Sequence, residues 1–359
     1  MNCTLPVSNV FAALTLFGVA CFQSPPASQT PPKPAPAPAP ATPPAPAQEP
    51  DENQRLRDSK QPLRISAIPG VDKEKFAKQS ELVSTWLSKD LQRPVEIVPV
   101  DDFAAAVNGF ATNKIDLAWL DGATGVLAEQ RVTDDKGRPH CQPLFAREQD
   151  VKVTSYFIAS KKLVDAGTFK IIEERKAPAV DPKAPLAALA PLAALKPKFA
   201  TLTFSFGPKT STTGHYMPRF FLERPDVGID PEKGFKSPAS FATGASDAAV
   251  LASVASGAAD LGVVASTTWE HAKDEEKAKA PVIYVTPEYT DCFFMLHTHC
   301  GPTLGLRTMS AFLRLDPKVE EQKAILDVFE TSKFVRAMPT NLDAMRAAVK
   351  STKEKKVVE

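Results

Sequence analysis

The most constraining feature of this chain is an alternation of short apolar strands and amphipathic helices that runs once and then starts again. Residues 63–68 and 115–120 are typical of buried strands, and the segments after them carry apolar residues three and four positions apart, as helices do. The alternation resumes at 202–206 and continues to Leu261–Ala265. This order predicts parallel sheets covered by helices, so we expect two doubly wound α/β domains.

The second α/β unit is predicted to be an insertion in the first. An apolar run at Val282–Val285 would return the chain to the first unit. The predicted first domain therefore comprises residues 62–160 and 284–355, and the second comprises residues 161–283. Ligands of such sheets bind beyond the carboxyl ends of the strands, which places the expected site in the cleft between the domains.

The N-terminal region predicts export. An apolar run at 10–22 is too short to span a membrane and ends in Gly18-Val19-Ala20-Cys21. Small residues before a cysteine are typical of a lipoprotein signal peptide, here residues 1–21, in which Cys21 is acylated; the same residues also fit an ordinary signal-peptidase site. Residues 22–61 are rich in proline and alanine, which predicts a disordered tether.

The net charge limits the expected binding partners, and the cysteine count limits the expected disulfides. The net charge is +1, so electrostatic attraction does not favour nucleic acid or an acidic membrane surface as a binding partner. Cys3 is removed with the signal peptide and Cys21 carries the lipid, which leaves Cys141, Cys292 and Cys300 of the five cysteines. An odd number in an oxidising compartment predicts one disulfide and one buried thiol.

Residues 203–215 carry the chemistry of an anion site. A buried strand and a turn at Gly207-Pro208 deliver the hydroxyls of Ser211, Thr212 and Thr213 to the start of a helix. Unpaired amides and the positive end of the helix dipole lie at the same point, which suits a small oxyanion such as a phosphonate, phosphite or phosphate. The alternative is that these hydroxyls only cap the helix.

Two other groups of residues in the sequence could carry chemistry, and their spacing disfavours both. His297, His299 and Cys300, with Asp291 and Cys292, are soft-metal ligands, but alternation along a strand would put the histidines on one face and Cys300 on the other. A strand end is therefore favoured over a metal site. Ser211 and His215 lie four residues apart on one helix and lack the arrangement of a hydrolase, so neither an enzyme nor a cofactor is expected.

The order of these segments resembles the phosphonate and phosphite substrate-binding proteins of ABC importers, which have the type II periplasmic-binding-protein fold. The most specific match is FGPKTSTTGHYMPR at 206–219, close to the family's Ser-Thr-Ser-Gly-His-Leu-Met-Pro signature. Further matching segments are 63–69, 103–107, 114–119, 124–126, 155–158, 286–291, 325–329 and 334–335. The resemblance implies a monomer in the periplasm or cell envelope that delivers a small phosphorus oxyanion to a permease and ATPase.

The resemblance also implies the ligand's contacts in the second domain. The hydroxyls of Ser211, Thr212 and Thr213 would hold the ligand's oxygens together with the amides of Gly214 and His215.

In the first domain, Thr124 begins the facing helix and can add a donor. Phe103 stands where the family often has a ligand-reaching tyrosine, and without a hydroxyl it can only pack. Asp291 matches an acid near the ligand, where a carboxylate repels an anion unless a proton is shared. The family's order further implies a disulfide between Cys141 and Cys300, with Cys292 left as a free thiol near the cleft.

Two departures from the family bear on the ligand. A histidine frequent near Ser246-Asp247 is absent, and Thr267 stands where binders of aminophosphonates carry an acid. These losses argue for phosphite or a simple alkylphosphonate over a phosphonate with an amine. Phosphate, sulfate and selenate remain alternative ligands, and a ligand-sensing partner of a membrane receptor remains an alternative role.

Overall fold

The computed structural model describes residues 60–66, 73–178, 185–243 and 247–358. The predicted signal peptide 1–21 with Cys21, almost all of the tether 22–61 and Ser246 lie outside the described residues. Among the residues that are described, no helix has both the length and the apolar character needed to cross a bilayer.

Strands and helices alternate along the described chain. The strands are β1 (Leu63–Ser66), β2 (Val95–Val98), β3 (Leu117–Leu120), β4 (Cys141–Arg147), β5 (Ser155–Ala159), β6 (Phe204–Phe206), β7 (Ser240–Phe241), β8 (Leu261–Ala265), β9 (Val282–Val285), β10 (Phe293–His297) and β11 (Phe334–Arg336). The α-helices are α1 (Lys73–Leu91), α2 (Phe103–Ala111), α3 (Gly122–Arg131), α4 (Lys161–Asp165), α5 (Ala190–Phe199), α6 (Met217–Glu223), α7 (Ala248–Ser256), α8 (Ser266–Glu270), α9 (Asp274–Lys279), α10 (Gly301–Leu313), α11 (Glu320–Val328) and α12 (Asp343–Val358).

The strands form two sheets, and each sheet with its helices is called a lobe below. The first sheet has the order β11-β4-β10-β3-β1-β2, with β1 parallel to β2 and β3, and with β10 antiparallel to β3 and β4. The second has the order β7-β6-β8-β5-β9, with β6 parallel to β7 and β8 and with β5 antiparallel to β8 and β9. Two mixed sheets with flanking helices confirm the predicted α/β class.

Two strands lie in a different lobe from the one predicted. The sequence placed β5 in the first domain and took β9 as the strand that returns to it. In the structure both belong to the second sheet, where Ser155 pairs with Ala265 and Tyr156 with Val285. A buried apolar strand has the same composition in either sheet, so the pattern could not distinguish them. The chain therefore crosses between the sheets at 148–154 and 286–292.

Each sheet is buried on both faces. Along β3, Leu117 and Trp119 join one apolar cluster while Ala118 and Leu120 join another, as alternation on a strand requires. Along β5, Phe157 and Tyr156 likewise belong to different clusters.

The predicted disulfide between Cys141 and Cys300 is wrong in this structure. All three cysteines of the described chain are buried free thiols. Cys141 packs with Ala118 on one face of the first sheet, and Cys300 packs with Leu117 and Trp119 on the other. The body of the sheet separates the two side chains, and burial raises the pKa of the Cys141 thiol to about 12.

Helix α12 packs against both lobes. Met345 and Val349 share an apolar cluster with Val126 of α3 in the first lobe and with Leu222 of α6 in the second. At the first lobe, Arg346 Nε and Nη2 donate to the two carboxylate oxygens of Glu129 at 2.8 and 2.7 Å. The C-terminal helix is thus a third connection between the lobes, besides the two crossings.

Candidate functional site

In the first lobe, the site is the N-terminus of α3. Asp121 is the N-cap residue, and its carboxylate accepts from the Thr124 amide at 2.7 Å and from the Thr124 hydroxyl at 2.6 Å. Both side chains are buried. Burial raises the pKa of Asp121, and the hydrogen bonds from Thr124 offset only part of that cost. The Thr124 hydroxyl is therefore engaged with its own cap.

In the second lobe, the site is the turn that follows β6. Ser211 is its N-cap, with Oγ accepting from the Gly214 amide at 2.8 Å and lying 3.4 Å from Thr213 Oγ1. Thr212–Tyr216 then form a π-helical turn before α6. The sequence predicted that a helix begins at these hydroxyls, and the helix is present, but its first turn is π-helical.

A proline leaves one carbonyl of the wide turn without an amide donor. Tyr216 and Met217 donate to the carbonyls five residues before them, those of Ser211 and Thr212. The next donor in that register would be residue 218, which is a proline and has no N–H. The Thr213 carbonyl instead accepts from Ser155 Oγ at 2.6 Å. Single π turns of this kind are frequent at functional sites.

A buried carboxyl lies under the same turn. Asp247 Oδ2 accepts from the Ala265 amide at 2.8 Å, and Oδ1 would lie 2.2 Å from a Cβ placed on either Gly207 or Gly214. Only glycine at these two positions leaves room for the carboxyl. Burial raises the pKa of Asp247 to about 6, against the opposing interactions of the Ala265 amide and the Thr213 side chain.

The two lobes meet where their helices begin. The Ala123 amide in the first turn of α3 donates to Thr212 Oγ1 at 3.0 Å, and both residues are buried. A Cβ on Gly122 would lie 3.4 Å from Thr212 Cγ2 and 3.2 Å from the Thr290 carbonyl oxygen. Two helix N-termini, each with the positive end of its dipole, therefore converge on one point.

Acidic side chains from the crossings lie near this point. Arg147 binds Asp150 through two hydrogen bonds of 2.6 and 2.8 Å. Burial raises the pKa of Asp291 well above its ordinary value, and the charges of Asp121 and Asp150 raise it further, while Arg147 opposes the shift. Asp291 is therefore a carboxyl that favours its protonated form, which suits it to sharing a proton with a bound anion.

The predicted residues are only partly brought together. Ser211, Thr212, Thr213 and Gly214 form one turn. The His215 ring is buried in the second lobe, with Nδ1 donating to the Lys209 carbonyl at 2.7 Å and with T-shaped ring contacts to Phe206 and Phe241.

Phe103, at the start of α2, packs partly buried against the first-lobe cluster that contains Trp119. Four buried residues around the site were not predicted, namely Asp121, Ser155, Asp247 and Tyr289. Asp121 had a readable signal, because an Asp three positions before a Thr at a helix start is a cap pattern. Ser155 and Tyr289 had none, since they act on residues 58 and 134 positions away.

The histidine and cysteine segment forms a separate cluster. Strand β10 ends at His297, and the chain turns at Thr298–Cys300, so the rings of His297 and His299 stack with centroids 3.9 Å apart. His299 and Cys300 then approach Asp116 together, with ligand atoms within 4.8 Å of one another. The predicted opposition of His299 and Cys300 is therefore wrong.

Protein donors already saturate that carboxylate. Asp116 accepts from the Arg64 amide at 2.8 Å, Arg64 Nη2 at 2.9 Å and His299 Nε2 at 2.9 Å. Although burial disfavours the charge, the hydrogen bonds from His299 and Arg64 hold the pKa of Asp116 far below its ordinary value. We interpret the cluster as a buried ion-pair network that holds the first sheet to the segment after β10.

Comparison of the sequence with known proteins agrees with the resemblance described in the sequence analysis. Residues 65–342 match the family described as "ABC transporter, phosphonate, periplasmic substrate-binding protein". A probable ABC transporter phosphite binding protein, PhnD1 of Prochlorococcus marinus (strain MIT 9301), is 31% identical over 282 residues, which cover 77% of this chain and 84% of the relative.

Solved structures show the same likeness. The structure of PhnD1 from P. marinus in complex with methylphosphonate has a TM-score of 0.61 and 28% identity, covering 81% of this chain and 98% of PhnD1. A binding protein component of an ABC phosphonate transporter from Pseudomonas aeruginosa has a TM-score of 0.54 at 17% identity, covering 83% of this chain and 88% of the other, and supports the fold alone. These likenesses confirm the predicted type II periplasmic-binding-protein fold.

Proposed function

The chain belongs to the family of periplasmic phosphonate substrate-binding proteins of ABC transporters, and we propose that it captures phosphite or a simple alkylphosphonate between its lobes. Family membership makes it the extracytoplasmic substrate-binding component of a transporter. PhnD1 of P. marinus, the relative at 31% identity, is named for phosphite and was solved with methylphosphonate, which supports this ligand class.

The observation that carries the proposal is the contact between the two helix N-termini. The Thr212 hydroxyl oxygen accepts from the Ala123 amide at 3.0 Å, in the way that an oxygen of a bound anion would. We expect the ligand's oxygens to take donors from both lobes at this point. In the second lobe these are the hydroxyls of Ser211, Thr212 and Thr213 and the amides of Gly214 and His215. The Gly214 amide and, in the first lobe, the Thr124 hydroxyl would exchange their present hydrogen bonds to Ser211 Oγ and Asp121 for bonds to the ligand.

The carboxyls give the site a preference among oxyanions. Asp291 and Asp121 are buried acids with raised pKa values, so each can keep a proton or accept one from the ligand. A phosphonate or phosphite monoanion carries a P–OH group that can donate to such a carboxylate. Sulfate has no such proton at neutral pH, so it would meet repulsion without a compensating hydrogen bond.

The same geometry supports binding without catalysis. Ser211 Oγ accepts from the Gly214 amide, and the His215 ring is held by the Lys209 carbonyl in an aromatic setting. A nucleophilic mechanism would need a base directed at the serine hydroxyl, and these contacts direct none there.

The proposed partners are an ABC permease and ATPase. The protein is proposed to act as a monomer that acylation of Cys21 anchors to a membrane.

Calorimetric titration with a panel of anions tests the ligand. We expect methylphosphonate and phosphite to bind more tightly than phosphate, and sulfate and aminoethylphosphonate to bind weakest. Tighter binding of sulfate than of either phosphorus ligand would overturn the proposed role of the carboxyls. Failure of every phosphorus oxyanion to bind would overturn the proposed ligand class.

A further inference from the structure

The Thr213 carbonyl lies in the binding turn and depends on a side chain from elsewhere in the chain. Because residue 218 is a proline, the i−5 register of the π turn offers that carbonyl no amide. Ser155 Oγ supplies the donor at 2.6 Å, and Ser155 is completely buried. A buried carbonyl without a donor is costly, so the position of the turn depends on Ser155.

Ser155 is in turn held by the crossings between the lobes. Its Oγ lies 2.5 Å from the Tyr289 hydroxyl. The Ser155 backbone is held as well. Its amide donates to Thr286 Oγ1 at 2.8 Å, and the Thr286 amide donates to the Ser155 carbonyl at 3.0 Å. Tyr289 lies in the crossing 286–292 and pairs as an isolated β-bridge with Val153 of the other crossing. Both crossings therefore meet at one hydroxyl pair.

The direction of the hydrogen bonds in this chain of groups follows from their protons. Ser155 has one hydroxyl proton and the Thr213 carbonyl can only accept, so Ser155 donates to Thr213 and Tyr289 donates to Ser155. Burial raises the pKa of Tyr289 well above its ordinary value, and the charges of Asp291 and Asp247 act in the same direction. Tyr289 therefore keeps its proton and remains a donor throughout the working pH range.

We propose that Ser155 and Tyr289 are positioning residues that couple the hinge between the lobes to the oxyanion-binding turn. The proposal rests on the proposed function, because the turn is taken as the ligand site. Neither residue needs to touch the ligand. Each acts through the Thr213 carbonyl, so the turn holds its binding geometry when the two crossings are paired as they are in this structure.

The coupling follows from where the hydroxyls lie. Opening of two lobes is absorbed by a few residues in the crossing segments. A change in the backbone at Tyr289 or Val153 moves the Tyr289 hydroxyl relative to Ser155 Oγ. The hydrogen bond between the two hydroxyls is then weakened, and Ser155 is held less firmly against the Thr213 carbonyl. The binding turn is therefore ordered by closure, and a ligand that orders the turn favours closure in return.

Hydrogen exchange in the ligand-free protein tests the relay without any ligand. Tyr289→Phe removes one hydroxyl, and we expect exchange of the amides in the segment 211–217 to become about fivefold faster, as loss of one hydrogen bond implies. Tyr284→Phe is the matched control, because Tyr284 is also a buried tyrosine of the second-lobe cluster, but its hydroxyl donates to the Ala188 carbonyl at 3.3 Å. Equal exchange in the two variants would overturn the relay, whatever the protein binds.

Affinity for methylphosphonate gives the second readout. We expect Tyr289→Phe to weaken binding about fivefold and Ser155→Ala roughly tenfold to a hundredfold, because the latter leaves a buried carbonyl without a donor. The double variant should equal Ser155→Ala alone, since Tyr289 acts through Ser155. Multiplied effects in the double variant would show independent structural roles and contradict the proposal. If the wild type binds no phosphorus oxyanion, the proposed function fails, and the exchange measurement alone decides the relay.

Discussion

The two halves of the candidate site solve the same problem in different ways. Each presents a helix N-terminus to the junction between the lobes. In the first lobe, Asp121 caps a regular helix three residues before Thr124, and the hydrogen bonds between the cap and Thr124 are local. In the second lobe, the cap at Ser211 is followed by a π turn whose Thr213 carbonyl accepts from Ser155 Oγ of β5. The Asp247 carboxyl, at the start of α7, lies under the same turn.

The difference teaches which half of the site is sensitive to the rest of the protein. A local cap forms wherever its helix forms, because its donors and acceptors lie within one turn. The second-lobe turn is completed only when β5, β8 and the crossings are in place. Changes in the second-lobe turn should therefore cost more than equivalent changes in the first.

Glycine substitutions should show the largest difference between the halves. Gly214→Ala would place a Cβ 2.2 Å from Asp247 Oδ1 and 3.0 Å from the Gly207 Cα, so the turn must move. We expect methylphosphonate affinity to fall roughly a hundredfold to ten-thousandfold, as loss of two hydrogen bonds to a charged ligand implies. Gly122→Ala meets its nearest atoms at 3.2 to 3.4 Å and should lose less than about tenfold. Calorimetry on both variants checks this, and a larger loss in Gly122→Ala would reverse the comparison.

The floor of the second-lobe turn should give a distinct pH dependence of stability. The pKa of Asp247 is raised from 3.8 to about 6 in the folded protein, chiefly by burial. Below pH 3.8 the group is protonated in both states and costs nothing. As pH rises towards 6, ionisation favours the unfolded chain, and the loss reaches about 3 kcal/mol above pH 6.

Asp247→Asn should remove that part of the dependence. The side-chain NH₂ group of the asparagine can face the turn, while the side-chain oxygen still accepts from the backbone amide of Ala265. Chemical denaturation at pH 4 and pH 7 should therefore show a smaller drop in the free energy of unfolding for the variant than for the wild type. An equal drop in both proteins would show that Asp247 is not the buried acid described here.

The predictable part of the molecule is the part whose signals are local. The alternation of strands and helices predicted both α/β units, and residues 211–214 were predicted to form one turn because hydroxyls cluster there at a helix start. The lobe of β5 and β9 could not be found, since apolar strands look alike in either sheet. The π turn was missed because it depends on a hydrogen bond between Ser155 and Thr213, which are far apart in the chain. The side of the sheet on which Cys141 and Cys300 lie is likewise a property of the folded sheet.

The most direct test of the account is the contribution of the Thr212 hydroxyl to binding. Thr212→Val keeps the shape of the side chain and removes the group that faces the Ala123 amide across the junction. Thr308→Val is the matched control, because Thr308 is equally buried but donates to the Leu304 carbonyl within α10.

Calorimetric titration of methylphosphonate into the wild type and both variants gives the decisive comparison. A hydrogen bond to a charged ligand is worth about 1.5–3 kcal/mol, so we expect Thr212→Val to weaken binding roughly tenfold to a hundredfold and Thr308→Val to leave it unchanged. Wild-type affinity in Thr212→Val would contradict the convergence of the two helix N-termini on one oxyanion.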